Sequence, residues 1–535
     1  MSSAPQNTAP PNVSAPVSAP VSAVREVEMK LHLDPRDLPR VQDLPALKAA
    51  AEGAPAVRRL RTVYYDTPDR RLFAGGVALR VRQDGDRFTQ TLKTINAASP
   101  GDSAAVVIRE EWDWTIPTDA PDMAPLDAEG VAALVPEEAR KALVPLFTTE
   151  FRRTTLLVSP DALTSIEVAV DEGRITAGTA CAIISEVELE LKSGRVGRLF
   201  DLALTLQRSV PVRIGTESKA EVGYRLVTGR LPAPAFPEPL GLSPVTTVAE
   251  AYRHIVRHGL RLLLANEACA LAGGDVEGLH QMRVALRRLR TAIRLFRPLT
   301  GEPDACRAGN GIRWFSRQLG PARNWDVLLS HGIEPFAATA KAPADTLAAL
   351  AAAVREARRA PAHAAVEAIQ SPRCAGLILA LGSWLEDGAW QSGAAAEIRA
   401  KLDRPMAELS GPWLTAQHAK ALKAGRDLEN ADAAARDRLR RRLRKLRHTA
   451  EFFRGLYAET ATVPFIAALD ALLGALDAEH DSVVARDLLR GLSADQPEHR
   501  PAADATARWL AKQADKRRKA LPGLWKTFRD GAVFW

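Results

Sequence analysis

Glu26-Val27-Glu28-Met29-Lys30 constrains this chain more than any other stretch, because ionised and apolar side chains alternate with the two-residue period of a β-strand. Both carboxylates and the ammonium share one face, and Val27 and Met29 share the other. Like charges side by side on a strand repel unless a cation lies between them, and Mg²⁺ and Mn²⁺ favour carboxylate oxygen. Taken alone, the motif also fits a solvated strand face on which Lys30 pairs with Glu28.

The same alternation recurs through residues 1–230. Arg80-Val81-Arg82 sets two guanidiniums on one face, and Glu186-Val187-Glu188-Leu189-Glu190 sets three carboxylates on one face. Thr91-Leu92-Lys93, Arg109-Glu110-Glu111-Trp112 and Ser218-Lys219 add charges in further short β-like segments. Such runs predict an antiparallel β-barrel with charges in its lumen and apolar residues outside, covered by helices. A lumen with Arg and Lys on one wall and Glu on another suits a polyanion and a metal that bridges it.

A second signal is an internal repeat. Residues 280–297 align without gaps to residues 437–454. Arg283, Leu286, Arg287, Leu289, Arg290, Phe296 and Arg297 recur as Arg440, Leu443, Arg444, Leu446, Arg447, Phe453 and Arg454. The spacing is helical: His280, Arg283, Arg287, Arg290 and Arg294 fall on one side, and Met282, Leu286, Leu289, Ile293 and Phe296 on another. Cations at every turn of one stripe repel unless an anion faces them. Two such helices across a pseudo-twofold axis would form a cationic cleft for a long polyanion. Charge partition agrees, since residues 1–230 carry 28 Lys and Arg against 31 Asp and Glu, and the remainder carries 44 against 33.

The chain of 535 residues, 46% of them hydrophobic, has room for two or three domains with real cores. Residues 1–23 are mainly Ala, Pro, Ser and Val, which predicts a disordered tail and not a signal peptide. Residues 231–244 open with a Pro-rich, semi-rigid linker, Leu231 to Pro239. No stretch of about 20 apolar residues stands out, so no membrane span is expected. Cys181, Cys269, Cys306 and Cys374 are isolated in sequence and point to reduced thiols in a cytoplasm. There is no G-x-x-x-x-G-K-[ST] loop and no His and Cys cluster with zinc spacing.

Residues 24–230 resemble the CYTH superfamily of triphosphate tunnel metalloenzymes. The resemblance rests on Glu26-x-Glu28-x-Lys30, Tyr64-Tyr65-Asp66-Thr67-Pro68, Ala78-Leu79-Arg80-Val81-Arg82, Thr91-Leu92-Lys93, the Glu186 to Lys192 run, Ser218-Lys219 and Gly223-Tyr224. It implies an eight-stranded antiparallel tunnel that hydrolyses or cyclises triphosphates with Mg²⁺ or Mn²⁺. Carried over, Glu26, Glu28, Glu186 and Glu188 would hold metal, and Lys30, Arg80, Arg82, Lys93, Arg109, Arg153 and Lys219 would hold phosphate oxygens. Of the neighbours Arg152 and Arg153, alternation admits only one to the lumen. Glu111 and Asp171 are further lumen carboxylates in this reading. The implied chemistry is attack of water, oriented by Glu186 or Glu188, on a phosphorus whose charge Arg80 helps to stabilise.

Residues 245–535 resemble the CHAD domain. His280-x-x-Arg283-x-x-x-Arg287-Arg288-Leu289-Arg290, the second copy from Arg440 to Arg447 and the segment Leu319 to Val327 carry that resemblance. It implies an all-helical, two-bundle fold that binds inorganic polyphosphate, here through His280, Arg283, Arg287, Arg290, Arg294, Arg440, Arg444 and Arg447. In the second copy Asp437 stands where the first has His280. His280 itself reads as a cap or core partner in preference to a metal ligand.

The expectation is therefore a multidomain α+β chain: a β-barrel tunnel with helices, then an all-α domain. Its expected function is metal-dependent hydrolysis of tripolyphosphate to pyrophosphate and phosphate, with polyphosphate bound by the helices and an association with storage granules. The alternatives are a thiamine- or nucleoside-triphosphate phosphatase, an adenylate cyclase, or a noncatalytic polyphosphate-binding adaptor. Nucleic acid fits the basic stripe less well, because aromatics do not interleave with its arginines.

Overall fold

The computed structural model describes residues 24–95, 105–128, 130–339 and 344–535, so the expected tail, residues 1–23, lies outside the described residues. Nine strands follow in order: β1 (Val24–His32), β2 (Ala56–Asp66), β3 (Val77–Asp84), β4 (Arg87–Thr94), β5 (Val107–Ile116), β6 (Val144–Asp161), β7 (Thr164–Ala177), β8 (Ala180–Ser193) and β9 (Arg213–Gly215). They form one antiparallel sheet ordered β5-β4-β3-β2-β6-β7-β8-β1-β9. β1 pairs with β5 along Val24–Glu28 and with β8 along Glu28–His32. The short β9, beside the end of β1, is one strand more than the eight implied by resemblance.

The two-residue period decides which side chains leave the lumen. Met29, Leu31, Val168, Val187 and Leu189 point away from it and are buried under the helix Gly197–Ser209, through Leu199, Phe200, Ala203 and Leu206. Leu79, Leu92 and Trp112 on β3, β4 and β5 are covered by the short helical segments between Ala124 and Arg140. The helix Lys219–Thr228 lies across β6, β7 and β8, starting from a capping box of Ser218 and Glu221. Gly223 permits this seating, because a Cβ at that position would overlap the Phe147 ring.

The helical half is built on the repeat. The first arginine helix, Val276–Thr300, and its neighbour Glu302–Val327 match the second arginine helix, Ala433–Phe453, and its neighbour Glu459–Asp495. Leu286, Leu289, Ile293 and Phe296 and their counterparts Leu443, Leu446, Ala450 and Phe453 are buried in one core. Thr291 and His448, 157 residues apart and equivalent in the repeat, meet at 3.3 Å where the two helices cross. A smaller core joins Leu328, Ile333, Leu350 and Val354 to Leu489, Leu492 and Leu510.

The linker does not act as a free spacer. The buried Asn266 side chain accepts from the Ala235 amide at 3.0 Å and donates to its carbonyl at 2.9 Å. The helix Gly197–Ser209 packs on Pro372–Asp387 of the helical half, where Gly382 makes room for Phe200. Ser383 donates to Asp201 at 2.9 Å, and Arg213 to Glu267 at 2.8 Å, across the same junction.

One expectation is corrected: the helix Glu459–Asp495 is long and apolar enough to cross a membrane, and the bent pair Ala344–Gln370 and Pro372–Asp387 passes the same test together. The long helix packs against both neighbouring helices, Ala433–Phe453 and Arg500–Asp530, and Leu469, Leu472 and Leu476 are buried in the bundle core. A bundle helix that packs on several partners needs as many apolar positions as a membrane span, so composition alone does not separate them.

Candidate active site and cationic cleft

The lumen residues converge on a cavity of about 450 Å³ lined by Glu26, Glu28, Lys30, Tyr64, Arg80, Arg82, Lys93, Glu111, Arg153, Glu188 and Lys219, among others. Strand register explains the convergence, since Glu28 lies opposite Glu190, Lys30 opposite Glu188 and Tyr64 opposite Arg80. Lys219 arrives from outside the sheet, at the first position of the helix Lys219–Thr228.

Two charge networks meet at this cavity, the second reaching behind its lining to the buried Asp171 and Glu186. In one, Lys93 bonds Glu26 and lies 2.8 Å from Glu111, which also accepts from Arg80 at 2.8 Å. In the other, Asp171, with no exposed surface, accepts two bonds from Arg153 at 2.8 and 2.7 Å and one from Lys219 at 2.7 Å. Glu188 bonds Lys30, Arg153 and, at 3.0 Å, Lys219; Glu186 bonds Lys219 and lies 3.4 Å from Lys30. Arg152 points the other way and pairs with Glu172 on the exposed face, so the lumen arginine of this pair is Arg153.

Local potential separates these carboxyls. Burial and the neighbouring Glu28 raise Glu26 to about 7, against the pull of Lys93. Burial would also raise Glu111, but Arg80 and Lys93 outweigh it and hold that group down at about 2. Glu188 and Asp171 are likewise held low against burial, by Lys219 and by Lys30 or Arg153. Among the described residues Arg82 has no bonded carboxylate: its Nε reaches Thr62, at 3.4 Å, and burial with Arg80 and Arg153 nearby lowers it to about 10. An anion entering the cavity would relieve that repulsion.

Oxygen atoms of Asp171, Glu186 and Glu188 lie within 4.8 Å of one another. An all-carboxylate oxygen set of this size fits a hard divalent cation, which would displace the Lys219 ammonium that bonds all three carboxylates. Glu26 and Glu28 are not part of that group, and Glu26 is engaged by Lys93 instead. Arg109 lies opposite Glu26 in the β1–β5 register, and its side chain lies outside the described residues. Asp171 is the lumen carboxylate that motif reading undervalued, because a lone Asp between Val170 and Glu172 gives only a short alternation. Asp66 proves architectural: it accepts from Thr67, Leu72 and Phe73 amides and from the Tyr224 hydroxyl at 2.7–2.9 Å, which explains the Tyr65-Asp66-Thr67-Pro68 and Gly223-Tyr224 motifs.

In the helical half, His280, Arg283, Arg287, Arg290 and Arg294 share a face as expected, with Arg313 and Arg323 of the neighbouring helix beside them. Arg283 donates to the Gly320 carbonyl at 2.9 Å, and Arg287 Nε has no partner among the described residues. Burial, with Arg444 and Arg283 close by, lowers Arg287 to about 9; burial, with Arg323 and Arg287, takes His280 down to about 3, a neutral imidazole. His280 is no cap, for Asp275 fills that position. The second copy differs from the symmetric cleft expected. Arg440 pairs with Asp437 at 2.7 Å and with Asp477 at 3.2 Å, Arg444 pairs with Asp477, and Arg447 pairs with Asp470 and, at 2.8 Å, with Glu451. Arg313 and Arg323 lie outside the repeated 18 residues; Arg323 stands in the Leu319 to Val327 segment, and at the repeat offset the two correspond to Asp470 and His480, so the repeat itself carries no signal for them.

Residues 24–224 match the CYTH domain family, and residues 254–490 match the CHAD domain family. An inorganic triphosphatase of Haemophilus influenzae is 37% identical over 169 residues, 31% of this chain and 46% of that protein. The chain thus spans less than half the length of this curated relative. Among solved structures, the CHAD domain of the plant Ricinus communis is 31% identical with a TM-score of 0.49, covering 57% of this chain and 99% of that one. A Hippeastrum protein named for adenylyl cyclase and found with a dominant triphosphatase activity is 18% identical with a TM-score of 0.28, covering 38% of this chain and 97% of that one.

Proposed function

Because the chain joins a CYTH domain to a CHAD domain, we propose that it is a metal-dependent inorganic triphosphatase, cleaving tripolyphosphate to pyrophosphate and phosphate, whose helical half binds inorganic polyphosphate. The observation that carries this reading is the cavity in which Arg80, Arg82, Arg153 and Lys219 converge beside the Asp171, Glu186 and Glu188 oxygens. Dense cations and grouped carboxylates in one lumen suit a substrate that is all charge and no organic body.

In this reading the planar forks of Arg80, Arg82 and Arg153 hold nonbridging oxygens, and Lys219 neutralises charge from the mouth helix. Arg82 gains most, having no bonded carboxylate among the described residues to give up. Asp171, Glu186 and Glu188 would hold Mg²⁺ or Mn²⁺, with Glu26 and Glu28 on the adjacent wall. Held there, a divalent ion would supply charge neutralisation for the phosphoryl oxygens and favour ionisation of the attacking water. Glu186 or Glu188 orients water in line with the terminal phosphorus; the bridging P–O bond breaks and pyrophosphate leaves. No side-chain nucleophile is required.

The test is phosphate and pyrophosphate release from tripolyphosphate, ATP, thiamine triphosphate and long-chain polyphosphate, each with Mg²⁺ or Mn²⁺ and with excess EDTA. Tripolyphosphate is expected to turn over fastest and EDTA to abolish turnover. Turnover that survives EDTA removes the metal from the reading, and a preference for ATP or thiamine triphosphate replaces the substrate. For the helical half, binding of long-chain polyphosphate should fall steeply with salt, as counterions released from a polyanion require.

A further inference from the structure

The two arginine helices share their arginines but not the residues that face them. Arg440, Arg444 and Arg447 are held by Asp437, Asp470, Asp477 and Glu451. At the 157-residue offset, those four acids correspond to His280, Arg313, Gly320 and Arg294. Each acid of the second copy is thus replaced by a neutral or cationic residue in the first. The equivalence is geometric as well as arithmetic, because Arg283 donates to the Gly320 carbonyl where Arg440 donates to the Asp477 carboxylate.

We infer that the cleft grips a phosphate polyanion from one side: phosphoryl groups seat on Arg283, Arg287, Arg290 and Arg313, while Asp470 and Asp477 act as built-in competitors on the matching arginines. This inference rests on the polyphosphate reading of the helical half and assigns its binding groups unequally. The physical reason is exchange. A phosphate reaching Arg444 or Arg447 must displace a carboxylate already bonded there, so little is gained. A phosphate reaching Arg287 finds a guanidinium whose buried Nε has no partner among the described residues, and it relieves repulsion among Arg283, Arg287 and Arg444. Across the cleft Asp477 and Asp481 are the acids that act on Arg287 and Arg283, so Asp477 weakens the field on both sides.

The asymmetry can be reversed one residue at a time in the full chain. Among the described residues a Cβ added at Gly320 has only Arg283 Nη1 within 4 Å, at 3.9 Å, so Gly320→Asp sets a carboxylate beside Arg283 as Asp477 is set beside Arg440. Binding of long-chain polyphosphate and, separately, of pyrophosphate is measured by calorimetry, with thermal unfolding checking that each variant is folded. Arg290→Gln should weaken both about tenfold, while its counterpart Arg447→Gln changes them by less than about twofold. Gly320→Asp should cost at least about tenfold, and Asp477→Asn should tighten binding by about threefold or more. Equal losses from Arg290→Gln and Arg447→Gln, or an Asp477→Asn variant that binds no better than wild type, would overturn the inference. Pyrophosphate that follows this pattern while long chains fail to bind would instead remove the polyphosphate reading and leave the one-sided site standing. If neither anion binds the wild-type chain, both are wrong.

Discussion

Exchanging the neighbours Arg152 and Arg153 in turn for Gln tests the lumen assignment with an internal control, since the two differ only in the face of β6 they occupy. Arg153 makes two bonds to the fully buried Asp171 and one to Glu188, with its own side chain 18% exposed. Arg152 makes one bond at 2.9 Å to Glu172 and is 46% exposed. Breaking a buried ion pair from one side costs about 3–5 kcal/mol, and relief of the repulsion that Arg153 exerts on Arg82 offsets part of it. A net loss of about 2–3 kcal/mol in stability is expected for Arg153→Gln. In catalysis the variant loses a cation beside the phosphoryl oxygens and releases the Asp171 and Glu188 carboxylates that it holds in place, together worth about 2.7 kcal/mol or a hundredfold in kcat/KM. Arg152→Gln should cost about 0–1 kcal/mol in stability and less than about twofold in kcat/KM. The assay is tripolyphosphate hydrolysis across substrate concentrations, with fluorescence-monitored thermal unfolding alongside. Equal effects at the two positions, or normal kinetics for Arg153→Gln, would refute the orientation of β6 and with it the cation set of the lumen.

Glu186→Gln, at the grouped carboxylate oxygens, should lower metal-dependent hydrolysis by about a hundredfold while circular dichroism stays unchanged, and Arg80→Ala should raise KM and lower kcat together. Gly223→Ala should lower thermal stability by about 1–3 kcal/mol and raise KM, because the added methyl meets the Phe147 ring and pushes the helix that carries Lys219 away from the cavity. His258 gives a pH signature: burial, with Arg288 and Arg261 nearby, lowers it from 6.5 to about 4, so as pH falls the unfolded chain takes up its proton first. Its contribution, at most roughly 3 kcal/mol, is complete above pH 6.5 and is lost as pH falls toward 4; melting curves at pH 4.5 and 7 should differ less in His258→Gln than in wild type.

Periodicity alone determined much of this protein. A two-residue alternation of charge and apolar side chain suits a strand with a polar face and a covered face, so Glu26 to Lys30, Arg80 to Arg82 and Glu186 to Glu190 mark the charged faces in the sequence itself. The repeated arginines likewise declared two equivalent helices, since an apolar frame at 3.6-residue spacing fixes which side turns outward. Tertiary structure decided what those faces meet, because an ion pair depends on residues brought together from distant parts of the chain. Asp171 joined Glu186 and Glu188 through the β7–β8 register, whereas Glu26 was drawn to Lys93 from β4. The two arginine stripes look alike in sequence, yet Asp470 and Asp477 lie 23 and 33 residues beyond the arginines they neutralise, and only the packing of the following helix brings them back onto Arg447 and Arg444.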